Sequence, residues 1–194
     1  MALSKIDAAN FLTGTIPQGN VANASLGAVT ALPGAIPTGK VLQVVQTVKT
    51  DIFSLSTSNT FTDITGLSVS ITPSSSSNKI LVMYNVSVGT NGLDGYGYTK
   101  LLRDSTSIFI GDSSGSRVSA SNGGASAHGD VQSKHSIQFL DSPSTTSSTT
   151  YKIQAYAQAG TGVIRINASY NDGNAISNTR DASSITAMEI AGWL

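Results

Sequence analysis

The chain has 194 residues, a formal net charge of zero, 11% charged residues and no cysteine. It has no basic stripe to neutralise phosphates and no polybasic patch for a membrane surface, so neither nucleic-acid binding nor membrane insertion is expected. Disulfides and thiolate metal sites are excluded, and no apolar run is long enough for a membrane-spanning helix.

Serine and threonine make up about a quarter of the chain, and 19 glycines are spread through it. The apolar residues fall into alternating runs, which is the pattern of a β protein with polar faces and many turns.

Residues 1–38 differ from the rest. Ser4 is suited to cap a short helical turn over residues 5–10. Beyond it, Pro17, Pro33, Pro37 and several glycines break every periodic run. Such a segment cannot bury a core of its own and is ordered only by docking on something else. We read it as an attachment arm whose apolar contacts would come from Phe11, Leu12, Ile16, Pro17, Leu32 and Ile36. The start of the chain lacks the basic and apolar stretches of a signal peptide, so none is expected.

From residue 39 onward the pattern is that of strands. Residues 41–48 are apolar on both faces. Leu67, Val69 and Ile71 alternate with Ser68, Ser70 and Thr72, as in a half-buried strand. Ile80, Val82, Tyr84, Val86 and Val88 mark one face of a longer strand, while Leu81 and Met83 make its other face apolar too. Residues 98–103 and 107–110 are predicted to form a hairpin turning at residues 104–106. Further strands are predicted over 136–140, 151–158, 162–168 and 185–190, with a tight hairpin turn at 159–162. That gives eight to ten strands and no convincing helix, a pattern expected of a two-sheet antiparallel sandwich or jelly roll. A sandwich strand needs only one apolar face, and a second one calls for another cover, most simply a neighbouring subunit.

Three segments are predicted to be loops: 91–97, 111–134 and 170–182. Tyr96, Tyr98 and Tyr170, with Asp94, Asn171 and Asp172 as polar neighbours, are the candidate receptor-contact residues. Aromatic rings in such loops stack on the apolar faces of sugars or act as protein hot spots.

Catalytic and metal-binding patterns are weak. Gly111-Asp-Ser-Ser-Gly115 carries Ser113, but a nucleophilic serine needs a base oriented by a carboxylate, and only His128 and His135 are available, both downstream. We read both histidines as surface residues, and no third ligand has metal spacing with them. The Asn171-Asp-Gly173 segment lacks the end-of-loop glutamate of a calcium loop. No catalytic residue, metal or cofactor is therefore expected.

Several segments carry a family resemblance: Gly39-Lys-Val-Leu-Gln-Val-Val45, Phe61-Thr-Asp-Ile-Thr-Gly-Leu-Ser-Val-Ser-Ile-Thr72, Ser77-Asn-Lys-Ile-Leu-Val82, Leu101-Leu-Arg-Asp-Ser105, and the stretches 139–151 and 183–190. They resemble the jelly-roll heads of fibre-like virion proteins of tailed phages, especially phages of marine bacteria. The resemblance spans about residues 39–190. It implies a homotrimeric, tumour-necrosis-factor-like jelly-roll head on the exterior of a virion, on the tail or the capsid.

The expectation is then an all-β protein in two parts: an attachment arm over residues 1–38 and a jelly-roll head over 39–194. It would be a non-enzymatic virion protein, anchored to other virion proteins by the arm and presenting the head to a host-surface glycan or protein. A capsid decoration or head-fibre protein is the alternative. A polysaccharide depolymerase would need a pair of carboxylates, and no segment concentrates them.

Overall fold

The structure is a computed structural model and describes residues 40–56, 59–92, 95–160 and 162–192. The expected arm, including Phe11, Leu12, Ile16, Pro17, Leu32 and Ile36, lies outside the described residues, as does Asp94.

Eleven strands form two antiparallel sheets, with no helical element among the described residues. The first sheet contains β1 (Val41–Lys49), β2 (Phe53–Leu55), β4 (Lys79–Gly89), β8 (Ser133–Asp141), β10 (Ile164–Ile166) and β11 (Ser183–Ile190). β11 and β10 run in line along one side of β4, pairing with its first and last parts, while β8 pairs along the other side. β1 lies outside β11, and β2 outside β10. The second sheet contains β3 (Thr62–Ile71), β9 (Thr149–Ala157), β5 (Gly97–Arg103) and β6 (Thr106–Ile108) in that order, with the short β7 (Asn122–Gly124) also paired to β5. The order β1–β11–β4–β8 facing β3–β9–β5–β6 is that of a jelly-roll sandwich.

The core follows from alternation. Ile80, Val82, Tyr84, Val86 and Val88 of β4 all point inward, as their period of two requires. They meet Ile185 and Ala187 of β11 and, from the opposite sheet, Leu67, Val69 and Ile71 of β3 with Leu101, Tyr151 and Ile153. β3 does not alternate throughout. Its pairing with β9 shifts between Asp63 and Ser68, and Gly66 sits in this bulge at a φ of 80°, a backbone state open to glycine.

Several expectations are corrected. β9 and β10 belong to different sheets, so the connection near Gly160 and Gly162 crosses the sandwich and is no hairpin. Its glycines do adopt positive φ, so composition identified a turn without identifying what it joins. β10 ends at Ile166, because Asn167 turns to a φ of 66°. The hairpin after β5 turns on Asp104 and Ser105, and its second strand stops at Ile108. β7 and the start of β8 lie inside the segment expected to be a loop. β2 was not foreseen.

Candidate functional site

The aromatic candidates separate into two places. Tyr98 lies on β5, and Tyr96 precedes that strand and is 43% exposed. Tyr170, Asn171 and Asp172 lie in the loop after β10 and are engaged with its neighbours. The Arg165 guanidinium donates to the Tyr170 carbonyl and lies 5.8 Å from its ring centroid. The Asn171 backbone N–H donates to the Gly129 carbonyl at 2.9 Å, and Asp172 pairs with Arg180 at 2.7 Å. This loop is held to residues 128–130 by its own polar groups.

Tyr98 belongs to a row of aromatic rings on the outer face of the second sheet. It pairs directly with Tyr156 of β9 and Gly123 of β7. Phe61, just before β3, completes the row. Ring centroids are 5.5 Å apart for Tyr98 and Tyr156 and 5.0 Å for Phe61 and Tyr156, within the usual range for interacting rings. Gly123 makes the arrangement possible, since a Cβ there would sit 2.2 Å from Cδ1 of Tyr98.

Polar side chains flank the row on both sides. On one side the Tyr98 hydroxyl donates to Oε1 of Gln158 at 3.3 Å, and the Tyr156 hydroxyl to Oδ1 of Asn59 at 3.0 Å. On the other, Asp63, Gln154 and Lys100 share one register across three strands. Gln154 and Lys152 each donate to Asp63 at 2.7 Å. The Lys152 ammonium holds the Asp63 carboxyl below its usual range against the opposing effect of burial, with a lesser contribution from the Gln154 amide. The Lys100 ammonium lies 3.7 Å from the Phe61 ring centroid, and burial lowers its pKa.

The outer face of the first sheet has a different chemistry. Val44, Met188, Leu81 and Leu140 stand in one register across β1, β11, β4 and β8. Val44 is 54% and Leu140 53% exposed, and Leu42 and Val48 of β1 are exposed beside them. The next row is Gln46, Thr186, Met83 and Gln138. It borders a shallow groove of about 400 Å³ lined by Met83, Asn85, Ser136, Gln138, Ser184 and Thr186. The apolar second face read from β1 and β4 is thus a four-strand aliphatic patch.

The polar groups buried between the sheets are held in place and not reachable. His135, expected at the surface, is 2% exposed and points inward from β8. Its Nδ1 lies 3.2 Å from Oγ1 of Thr99, which is 3.0 Å from the Tyr84 hydroxyl. Burial without a carboxylate partner lowers its pKa to about 4, so it is neutral near pH 7, and burial raises Tyr84 to about 12. His128 is exposed, 3.4 Å from Asp130. Ser113 lies on an exposed loop, with neither histidine among its hydrogen-bond partners.

Two carboxylates close one end of the core. Glu189, 1% exposed, accepts from Asn78, Gln43, and both the backbone N–H and the hydroxyl of Ser74 at 2.5–2.7 Å. Burial raises its pKa, but these donors outweigh it and bring the carboxyl to about 2. Asp141 accepts from Arg103 and from the Tyr151 hydroxyl, joining β8 to the opposite sheet. Burial first, then Asp141, pushes the Tyr151 phenol up.

Phe61, Tyr156 and Leu140 are the surface residues that sequence reasoning passed over. Tyr156 alternates with Gln154 and Lys152 on β9, a signal that it faces outward with them. The pairing that lines it up with Tyr98 is a long-range feature.

No protein-family model matches the sequence, and no curated protein matches it. Among solved structures, the fold is similar to parts of the structures of infectious bursal disease virus, Gx and Gt strains. Each is 14% identical with a TM-score of 0.41, covering 85% of this chain and 43% and 42% of those chains respectively. The chain therefore spans less than half the length of these structural neighbours.

Proposed function

We propose that this protein is a non-enzymatic structural component of a virion, a homotrimer that displays its jelly-roll head to the host surface. The observation that carries the reading is the aliphatic row Val44–Met188–Leu81–Leu140, an apolar stripe crossing four strands on the outside of a sheet. Large solvent-facing apolar patches of this kind mark protein interfaces. Covering the half-exposed members would contribute roughly 1 kcal/mol per side chain. A second and third copy of the same chain supply the cover most economically, since a closed ring of identical chains buries such a face on every subunit without any other protein. The resemblance of residues 39–190 to phage fibre heads supports the virion setting. Residues 1–38 then act as the arm that holds the head to other virion proteins.

Light scattering of the purified chain tests the trimer: a mass near the 19.9 kDa of one chain overturns it. Cryo-electron microscopy of intact particles tests the setting, with density for the head expected on the exterior. Density on the capsid shell instead of the tail would make it a decoration protein. Release of reducing sugar from host polysaccharide would overturn the non-enzymatic reading.

A further inference from the structure

We infer that the outer face of the second sheet is a carbohydrate-binding platform, on which Tyr156 and Tyr98 stack against the pyranose rings of a glycan, with Phe61 packed beside Tyr156 under the Lys100 ammonium. This deepens the host-surface part of the proposed function and rests on it for its biological setting, but the site itself is built from a different face than the proposed trimer contact. A pyranose is amphipathic in a particular way: its faces present C–H groups of partial positive charge, and its rim presents hydroxyls. An aromatic face carries negative quadrupole density, so it attracts the C–H face and excludes water from it. The hydroxyl rim then needs both donors and acceptors beside the rings.

The second sheet supplies this combination. Its three rings lie in a row from Phe61, just before β3, to β9 and β5, at centroid steps of 5.0 and 5.5 Å and tilted to one another by 45° and 57°. The hydroxyls of Tyr98 and Tyr156 are tied to the side-chain oxygens of Gln158 and Asn59, which fixes the rings. These bonds use the amide oxygens, so the amide N–H groups remain as donors. On the other side stand Gln154, Asp63 and Lys100. Among the described residues no acidic group lies within ion-pair distance of Lys100, whose ammonium adds further donors. Asp63 is already balanced by Lys152, so the platform carries no strong field of one sign.

A protein partner fits less well. Protein hot spots are desolvated apolar centres set in pockets. Here the rings lie on an open sheet face with polar side chains within one register step on both sides. An added peptide strand would pair with a sheet edge, whereas this row runs across the strands. Any side chain at position 123 would displace the Tyr98 ring from the row.

The test uses the purified full chain on a glycan array covering linear glucose, galactose, mannose, N-acetylglucosamine and uronic-acid oligosaccharides, followed by calorimetry on the members that bind. Binding to at least one member is expected. Tyr98→Ala and Tyr156→Ala should each weaken it by about ten-fold, as truncation of a stacking anchor does, while Tyr98→Phe retains most of it. Gly123→Val should weaken binding without removing a ring, which separates ring placement from ring loss. Circular dichroism of each variant should match the parent. Leu81→Lys, on the opposite face, should leave the affinity for a single oligosaccharide unchanged even where it alters mass. A failed trimer is thereby distinguished from a failed platform. No binding to any array member at millimolar concentration overturns the inference. So does binding that survives Tyr98→Ala and Tyr156→Ala together, or capture of protein ligands alone.

Discussion

The two outer faces of the sandwich share a geometry and differ in chemistry. Each carries one row of large side chains running across the strands of its sheet. On the first sheet the row is Val44, Met188, Leu81 and Leu140; on the second it is Phe61, Tyr156 and Tyr98. The aliphatic row has conformable methyl and thioether groups and, in the next row, Gln46 already bonded to Thr186 at 2.9 Å. Such a surface gains most from being covered by another surface of the same shape. The aromatic row has rigid rings with amides, a carboxylate and an ammonium on both sides, which suits a small polar ligand with an apolar face. Register alone therefore does not decide what a sheet face does. The chemistry of the row and of the rows beside it does.

This contrast can be broken from either side. The largest effect is expected from charging the aliphatic row. Leu81→Lys buries an unpaired charge where copies meet and should cost association roughly 3 kcal/mol per contact. The side chain points outward, so the fold itself should be retained, which circular dichroism checks, while the urea midpoint falls with the lost association.

Next is a loss of stability in acid, which affects both faces because it acts on the core that joins them. His135 has a folded pKa of about 4 against 6.5 unfolded. Between those values the unfolded chain binds the proton and the folded chain does not. Stability is therefore full above pH 6.5 and falls as the pH drops toward 4, by roughly 3 kcal/mol in all. His135→Gln should flatten this part of the profile. Glu189 acts lower down: its contribution is present above the ordinary carboxylate value of 4.5 and is lost as the pH falls through about 2. Urea midpoints measured from pH 7 down to 2 should show the two steps separately, and a flat profile from pH 7 to 4 would contradict the buried neutral histidine.

A smaller effect is expected from Lys100→Met. It removes the ammonium over Phe61 and should cost about 0.5–1 kcal/mol of stability, with the oligomeric mass unchanged.

Much of the scaffold was legible in the sequence, because alternation is local. The inward face of β4 could be read residue by residue from Ile80 to Val88, and its outward Leu81 and Met83 marked the apolar outer face. The aromatic platform was half legible. Tyr98 stood out as an aromatic residue beside a polar loop, but Phe61 and Tyr156 are 37 and 58 positions away from it, and only strand pairing joins them. His135 was misread because Ser133, Lys134 and Ser136 give it a polar setting in sequence. In the sheet, alternation turns it inward, between Thr99 and Ser133. The connection near Gly160 failed for a related reason: glycines reveal that the chain turns, and not which sheet it turns into.

The most direct test of the division between the faces is the solution mass of three proteins side by side: the parent chain, Leu81→Lys and Tyr98→Ala. The expected result is a trimer for the parent and for Tyr98→Ala, and a monomer near 19.9 kDa for Leu81→Lys. A monomeric parent, or a mass that responds to Tyr98 and not to Leu81, would contradict it.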